Sequence, residues 1–293
     1  QMTNFTFTDS LIYFFDIDIS VENCLFKNSI IKGSGNLKNI VFERSSWKWS
    51  VQGNQLITLT SFSSVKYRFC VFQGTKKIEP EIFIFITQCY KISLKFCYLL
   101  LANGQIIFIK GSSKLKIHSI SFSQQNTETL LSHNKEKYSF FQIKKVNEFN
   151  LLKSYFHSTL HSIFQISKTH SVIFKENKFH SCASRSGQAV IFNMNKKLLQ
   201  TTIIIHATQF IDCYSALYLN LPQIQMTVWN FIQLSQIQKL FSLANIIIKS
   251  TIFEECYSNI ESSGSALHVK GSPIVNKLIG HITLLDLIFR NNR

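Results

Sequence analysis

Carboxylates are the residues of this sequence whose pairing would give the clearest chemistry. Two or three of them on one strand face can bind Ca²⁺ or act as acid and base on a sugar polymer. The chain contains only five aspartates. Asp16 and Asp18 could share a face, whereas Asp212 and Asp286 fall in separate repeats without a carboxylate neighbour. We therefore expect no enzymatic activity, no metal site and no cofactor.

The seven cysteines are placed more regularly than the acids. Three of them follow an apolar anchor residue by three positions, and three others precede one by two. The first group is Cys182, Cys213 and Cys256, and the second is Cys24, Cys70 and Cys97. In a stacked fold Cys70 would lie beside Cys97, and Cys182 beside Cys213. Parallel in-register neighbours point the same way, which favours buried free thiols. A disulfide in one pair and metal ligation are the alternatives.

Histidine and tryptophan supply the remaining candidate sites. His157 and His180 each follow an anchor by one residue, and His161 lies nearby. Three imidazoles could bind a transition metal, but we favour a polar surface stack. Trp47 and Trp49 would point to the same side of an extended stretch, where exposed indoles could bind a sugar ring. Packing inside the domain, or capping its end, is the favoured alternative for this pair.

The charge balance narrows the choice of partner. The chain of 293 residues has 31 Lys and Arg against 16 Asp and Glu, a net charge of +15, yet only 16% of its residues are charged. The lysines occur singly or in pairs such as Lys76-Lys77 and Lys144-Lys145. This scatter predicts a solvated, mildly cationic surface and no nucleic acid as partner, with attraction to acidic glycans or membranes as the remaining option.

Two features bear on location. The apolar runs fall short of the roughly 18 residues that a spanning helix needs, so we expect no transmembrane segment in this portion. Asn4-Phe5-Thr6 is a glycosylation sequon, which makes Asn4 a candidate glycosylation site and suggests export.

A repeat runs through the chain and predicts its fold. Its template has two apolar residues at positions i and i+2, the period of a strand with one buried face, and an apolar anchor five residues later. The anchors, expected to form a structural ladder, are Phe72, Leu99, Phe122, Phe156, Phe179, Phe210, Phe231, Phe253 and Phe289, with an earlier instance ending at Phe42. A second alternation ends 13 residues before five of these anchors, at Leu59, Ile86, Ile109, Ile143 and Ile166.

A half of constant length beside an elastic half is typical of a solenoid whose loops emerge on one side. Since each repeat carries strands and no credible helix, we predict an all-β, right-handed parallel β-helix of about nine to eleven coils. A β-sandwich or propeller is disfavoured, because antiparallel hairpins would need regular Asn-Gly or Asp-Gly turns. The chain has one Asn-Gly, at 103–104, and no Asp-Gly.

The stretches FKENKFHSCASRSGQAVIF and IFEECYSNIESSGSALHV carry a family resemblance. They resemble the repeats of polymorphic outer-membrane-type proteins and related pectin-lyase-like surface solenoids, which carry Phe-x-x-Asn and Gly-Gly-Ala-Ile phrases. Phe174-x-x-Asn177 and Phe289-x-x-Asn292 match the first phrase, whereas the segments from Gly187 and from Gly264 match the second without its second glycine. The resemblance implies a β-helical fold and an exported surface, adhesion or structural role.

Domain organisation and function follow from the repeat. Candidate anchors at Ile12 and Phe26 lie too close together for full coils, so we expect an irregular coil or cap over residues 1–36 and a β-helix over 37–293 that continues beyond the C-terminal end. Our leading hypothesis is a non-enzymatic structural or adhesion segment of a large cell-surface or extracellular solenoid, with further coils of the same polypeptide as its partner. One alternative is a subunit that assembles end to end with identical subunits, and another is a glycan-binding or carbohydrate-active protein.

Overall fold

The fold is a right-handed parallel β-helix, as predicted. The computed structural model describes residues 1–49, 56–74, 81–101, 105–124, 139–182, 189–193, 201–213, 216–221, 224–228, 244–256, 266–271 and 280–292. Within these ranges there are three long sheets and no helix, and neighbouring strands pair in parallel.

Each sheet collects one strand from successive coils. The first sheet contains, in spatial order, Met2–Thr3, Ile19–Glu22, Asn39–Glu43, Ser64–Arg68, Lys91–Lys95, Lys114–His118, Glu148–Leu152, Ser171–Lys175, Thr201–His206, Ala244–Lys249, Gly280–Leu285 and Ile224–Val228. The second contains Thr6–Thr8, Leu25–Lys27, Ser46–Trp49, Val71–Gly74, Tyr98–Leu101, Ser121–Gln124, Tyr155–His157, Lys178–His180, Gln209–Ile211, Ile252–Glu254 and Ile288–Arg290. The third contains Leu11–Phe15, Ile30–Ser34, Ile57–Thr60, Glu81–Thr87, Gln105–Lys110, Ser139–Lys144, Ser162–Ser167, Val190–Asn193, Leu217–Leu221 and Leu267–Gly271.

The anchor residues stack inside the second sheet. Phe156, Phe179, Phe210 and Phe253 follow one another with centroid separations of 4.9, 4.8 and 5.2 Å and nearly parallel rings. These separations are close to the spacing of adjacent strands, because each ring sits directly over its equivalent in the next coil. Burial of one such side chain contributes roughly 1.5–3 kcal/mol. The repeated Phe is therefore explained by continuous packing along the axis.

Corners between sheets depend on one residue with positive φ. At the corner from the first to the second sheet these residues are Asn4, Asn23, Arg44, Phe69, Phe96, Ser119, Lys153, Glu176, Ala207, Ser250 and Asp286. In several coils the following side chain turns inward and donates to the carbonyl two residues before it, as Cys70 Sγ does to Arg68 at 3.3 Å and Ser154 Oγ does to Leu152 at 2.9 Å. The corner therefore accommodates a small side chain with a donor group, although Phe5, Ile120 and Leu287 occupy this position in other coils.

The Phe-x-x-Asn phrase has a role at these corners. Asn177 lies one residue after the positive-φ residue Glu176, donates to the Leu151 carbonyl at 2.9 Å and accepts from the Ser154 amide at 3.0 Å. Asn292 bridges to the preceding coil at the next corner in the same way, through the Phe253 carbonyl and the Cys256 amide. The amide side chain satisfies a donor and an acceptor that the ladders leave open.

The constant 13-residue spacing covers the third corner, which joins the third sheet to the first, then the first sheet, and then the first corner, which joins the first sheet to the second. At the N-terminal end this interval changes, to 12 residues from Phe14 to Phe26 and to 14 from Gly33 to Trp47, since Phe14, Gly33 and Leu59 are register equivalents. Residues 1–36, where we expected an irregular cap, contribute paired strands to all three sheets. Phe42 lies in the first sheet, and the residue in the anchor position is Trp47.

The register also differs from our interpretation near residue 230. Thr201–His206 pairs directly with Ala244–Lys249, and Phe210 pairs directly with Phe253, so no coil lies between them. Ile224–Val228 instead pairs with Gly280–Leu285 and forms the edge of the first sheet. Phe231, expected in the ladder, lies outside the described residues. The residues Ile224 and Met226 fit the template, but an apolar alternation by itself does not specify which strand it will pair with.

Candidate functional site

Both indoles expected at a sugar-binding surface lie in the interior. Trp47 is fully buried, stacked between Phe26 at 5.2 Å and Phe72 at 4.6 Å, and Trp49 is also buried. This corrects the exposed placement on which the glycan hypothesis depends, because neither ring presents a free face to solvent. Packing, the favoured alternative, describes both residues.

Aspartates act at corners. Asp9, Asp16, Asp212 and Asp286 all occupy positive-φ positions, a conformation that Asp tolerates better than most residues. Asp18 accepts hydrogen bonds from the Asn39 backbone amide at 2.7 Å and from its side chain, and these bonds lower the pKa of the Asp18 carboxyl. Each aspartate thus has a conformational or hydrogen-bonding role in the coil.

All seven cysteines are buried free thiols at corners. Cys70 and Cys97 occupy the first corner of adjacent coils. Cys182, Cys213 and Cys256 occupy the second corner, which follows the strands of the second sheet. Cys89, which our spacing rule did not include, holds the third corner and donates to the Thr87 carbonyl at 3.4 Å. Burial raises the pKa of Cys89 to about 11 and that of Cys256 to about 12. Such thiols stay protonated and unreactive at neutral pH.

His157 and His180 are direct neighbours in the second sheet, as their spacing predicted. The His157 ring stacks on Tyr155 at 4.9 Å, and burial, followed by repulsion from His180, lowers the pKa of His157. The His161 backbone carbonyl accepts from the Thr159 hydroxyl at 3.1 Å.

Lysines that are scattered in the sequence converge on the outer face of the first sheet. Three consecutive strands, Ser64–Arg68, Lys91–Lys95 and Lys114–His118, contain no acidic residue. Their outward cations, here called the cationic face, are Lys66, Arg68, Lys91, Lys95, Lys114 and Lys116. Arg68 pairs in register with Lys95, and Lys91 with Lys114. Within the described part of the chain, Lys114 is the one member in an ion pair, with Glu148 at 3.3 Å.

Sequence reasoning missed this face because it judged clustering along the chain. The signal was present in the template itself, since residues at the same distance from successive anchors must stack. The local field is visible at His118, whose pKa is lowered by burial and then by Lys116, Lys95 and Lys153. The scattered lysines are therefore a concentrated positive surface once the coils are stacked.

An apolar edge borders the cationic face. Phe69 and Phe96 occupy the first corner with φ of 52° and 54°, where most other coils place small, polar or charged residues. The left-handed conformation costs a residue with a Cβ roughly 1 kcal/mol, and Phe has no side-chain hydrogen bond to offset it. Both rings are about half exposed, at 50% and 49%, and they stack on each other at 5.1 Å. Val71 and Tyr98, paired on the adjoining second sheet, are also exposed.

No helix in the described ranges is long and apolar enough to cross a membrane. The same residues contain no group of three or more His, Cys, Asp or Glu side chains positioned to hold a metal ion. Comparison of the chain with protein-family models, with curated proteins and with solved structures gave no match.

Proposed function

We propose that this chain is a non-enzymatic structural or adhesion segment of an exported cell-surface β-solenoid protein. The observation that carries the proposal is the uninterrupted interior. Three parallel sheets continue along the axis, and their inward side chains form one buried core. A solenoid of this kind is a stiff rod with an adaptable exterior, which suits a spacer or a presenting surface.

The length of the rod can be approximated from the second sheet. Its eleven strands, at about 4.8 Å per step, span roughly 50 Å. Neighbouring coils are joined mainly through backbone ladders and stacked side chains, so bending would disrupt three sheets at once. The segment would hold whatever flanks it at a defined separation.

The proposal includes export from the cell and a relationship to a family of surface solenoids. The repeats resemble those of polymorphic outer-membrane-type and pectin-lyase-like surface proteins, and the described corners give their Phe-x-x-Asn phrase a bridging role. Asn4 of the sequon is exposed at a corner, so its side chain is accessible for modification. The buried Cys89 and Cys256 thiols, whose pKa values are raised by burial, would also stay unreactive in an oxidising compartment.

Surface labelling of whole cells tests this proposal. An antibody raised against the folded chain should label intact cells of the source organism, and glycosidase treatment should change the mass of the native protein if Asn4 is modified. Labelling that requires permeabilised cells would contradict a cell-surface role. A variant with Asn4→Gln serves as the matched control for the glycan.

End-to-end assembly is a second candidate, favoured by the exposed ends of the stack. Phe289, the last anchor, is 52% exposed, and Phe7 and Ile12, two inward residues of the first described coil, are only partly buried. Unpaired edges of this type can accept another strand. The occupant would be a further coil or a second copy.

Sedimentation over a range of concentrations separates these occupants. If identical copies assemble, the isolated chain should form concentration-dependent oligomers that Phe7→Lys or Phe289→Lys abolishes. A monomer at all concentrations would rule out self-assembly. Phe69→Lys, which changes an exposed Phe away from both ends, is the control substitution.

A further inference from the structure

We propose that the cationic face and its apolar edge form a docking surface for an anionic lipid bilayer. The cationic face comprises Lys66, Arg68, Lys91, Lys95, Lys114 and Lys116, and the apolar edge comprises Phe69, Val71, Phe96 and Tyr98. This inference is independent of the role proposed above for the rod as a whole.

The arrangement of charge supports a planar partner. Strands in the first sheet lie about 4.8 Å apart, so the three strands that carry the cations form a flat patch. Neighbouring coils place cations side by side, as at Arg68 and Lys95, although like charges repel at this distance. An opposing layer of negative charge would relieve that repulsion across all the cations at once.

The apolar edge supports a lipid partner over a soluble polymer. Nucleobases and sugars bind the faces of aromatic rings, but the Phe69 and Phe96 rings cover each other at 5.1 Å with an interplanar angle of 9°. Phe96 also meets His118 in a T-shaped arrangement with centroids 5.7 Å apart. Stacking therefore covers one face of each Phe ring, while about half of each residue stays exposed and can insert among acyl chains beside bound headgroups.

The backbone also indicates that exposure of these two rings is specific. The Phe69 amide donates to the Lys95 carbonyl at 3.0 Å, and the Phe96 amide donates to the His118 carbonyl at 3.1 Å. These bonds hold both residues at the corner, where the side chain must point outward. The equivalent positions in two other coils are Ser119 and Ser250, so serine fits this corner.

Vesicle flotation with the whole chain tests the proposal. We expect the protein to float with vesicles of equal parts phosphatidylserine and phosphatidylcholine and to remain unbound with pure phosphatidylcholine. The triple variant Lys66→Gln, Lys91→Gln, Lys116→Gln should bind roughly a hundredfold more weakly, since each such Lys contributes about one kcal/mol near an anionic surface. High salt should release the wild-type protein, because it shortens the Debye length.

Matched variants separate insertion from charge alone. Phe69→Ser with Phe96→Ser keeps the corner geometry and every cation, and it should weaken vesicle binding about tenfold. The control Lys27→Gln, Lys32→Gln, Lys249→Gln removes the same charge from other coils and should bind nearly as well as the wild type. Circular dichroism confirms that each variant is folded.

Three outcomes would overturn the proposal. One is no preference for phosphatidylserine, and another is an equal loss of binding in the two lysine variants. The third is tight binding to soluble heparin, or to single-stranded DNA, that depends on the cations but not on the Phe pair, without flotation. That result would assign the face to a soluble polyanion.

Discussion

The two faces of the first sheet obey different rules. Inward positions are apolar in coil after coil, as at Val65, Leu115 and Val172, and these three residues are fully buried. The central outward position changes along the same sheet, from Lys66 and Lys116 in the early strands to Ile173, Ile204 and Ile247 in later ones. Stacking constrains the interior, whereas the exterior is free to vary, so any specific function must be written on the outer face.

Removal of an interior ring should have the largest effect. Phe179→Ala would leave a cavity between Phe156 and Phe210 and should lower the free energy of unfolding by about 3–5 kcal/mol. The outward control Ile173→Ser should cost less than about 1 kcal/mol. Equal losses in chemical denaturation would contradict the distinction between the faces.

Insertion of a methyl group into the interior should have the next largest effect. A Cβ on Gly33 would lie 2.9 Å from Leu59 Cδ2 and 3.1 Å from Phe62 Cε2. Gly33→Ala should therefore cost about 1–3 kcal/mol through overpacking. Phe62→Leu, added to the same chain, should recover part of this loss in thermal unfolding, and additive losses would argue against the clash.

A corner substitution tests the requirement for a donor. Cys97 donates to the Lys95 carbonyl at 3.3 Å, and serine already occupies the equivalent positions 45 and 154. Cys97→Ala should be less stable than Cys97→Ser by about 1 kcal/mol, because only serine keeps a donor for the carbonyl. Identical urea midpoints for the two variants would show that the donor is dispensable.

One interior change should increase stability. The Tyr67 hydroxyl is buried and has no hydrogen-bond partner among the described residues, so burial raises its pKa well above the usual value. Tyr67→Phe removes the unsatisfied group while keeping the stack with Phe42, and it should raise the free energy of unfolding by about 1 kcal/mol. A loss of stability would indicate that the hydroxyl is satisfied in solution.

The smallest effect should come from the outward histidine pair. Burial and then His180 lower the pKa of His157 below 6.5, so the unfolded chain binds this proton more strongly than the folded one. The resulting stability is present above about pH 6.5 and is lost as the pH falls through the lowered folded-state pKa. His180→Gln should raise the pKa of His157 in an NMR titration, and an unchanged value would remove His180 as a cause.

The sequence predicted the fold but much less of the surface. Val65, Tyr67 and Phe72 could be placed because their spacing repeats along the chain. A stack of coils is the simplest fold that buries residues repeated at this spacing. Trp47 was missed as an anchor because two overlapping sets of residues fit the template, Gly35, Leu37 and Phe42 as well as Ile40, Phe42 and Trp47. The spacing alone does not decide which of two overlapping matches is the buried one.

The segment at Ile224–Val228 shows a second limit. Its alternation fits the template, yet its partner is Gly280–Leu285 rather than the strand that precedes it in the chain. The sequence of a five-residue strand shows which of its residues face the core, but it does not show which strand it pairs with. Pairing depends on the contacts of the whole stack, which local sequence does not contain.

The sequence by itself determined that the chain must stack in coils, because apolar residues recur at positions that only successive turns of a solenoid can bury together. The tertiary structure alone decided which outward residues meet. Lys66 and Lys116 are separated by 50 positions in the chain, yet only one strand, centred on Ser93, lies between them. The number of residues between equivalent positions differs from coil to coil, while the backbone hydrogen bonds between strands keep the spacing of the coils constant.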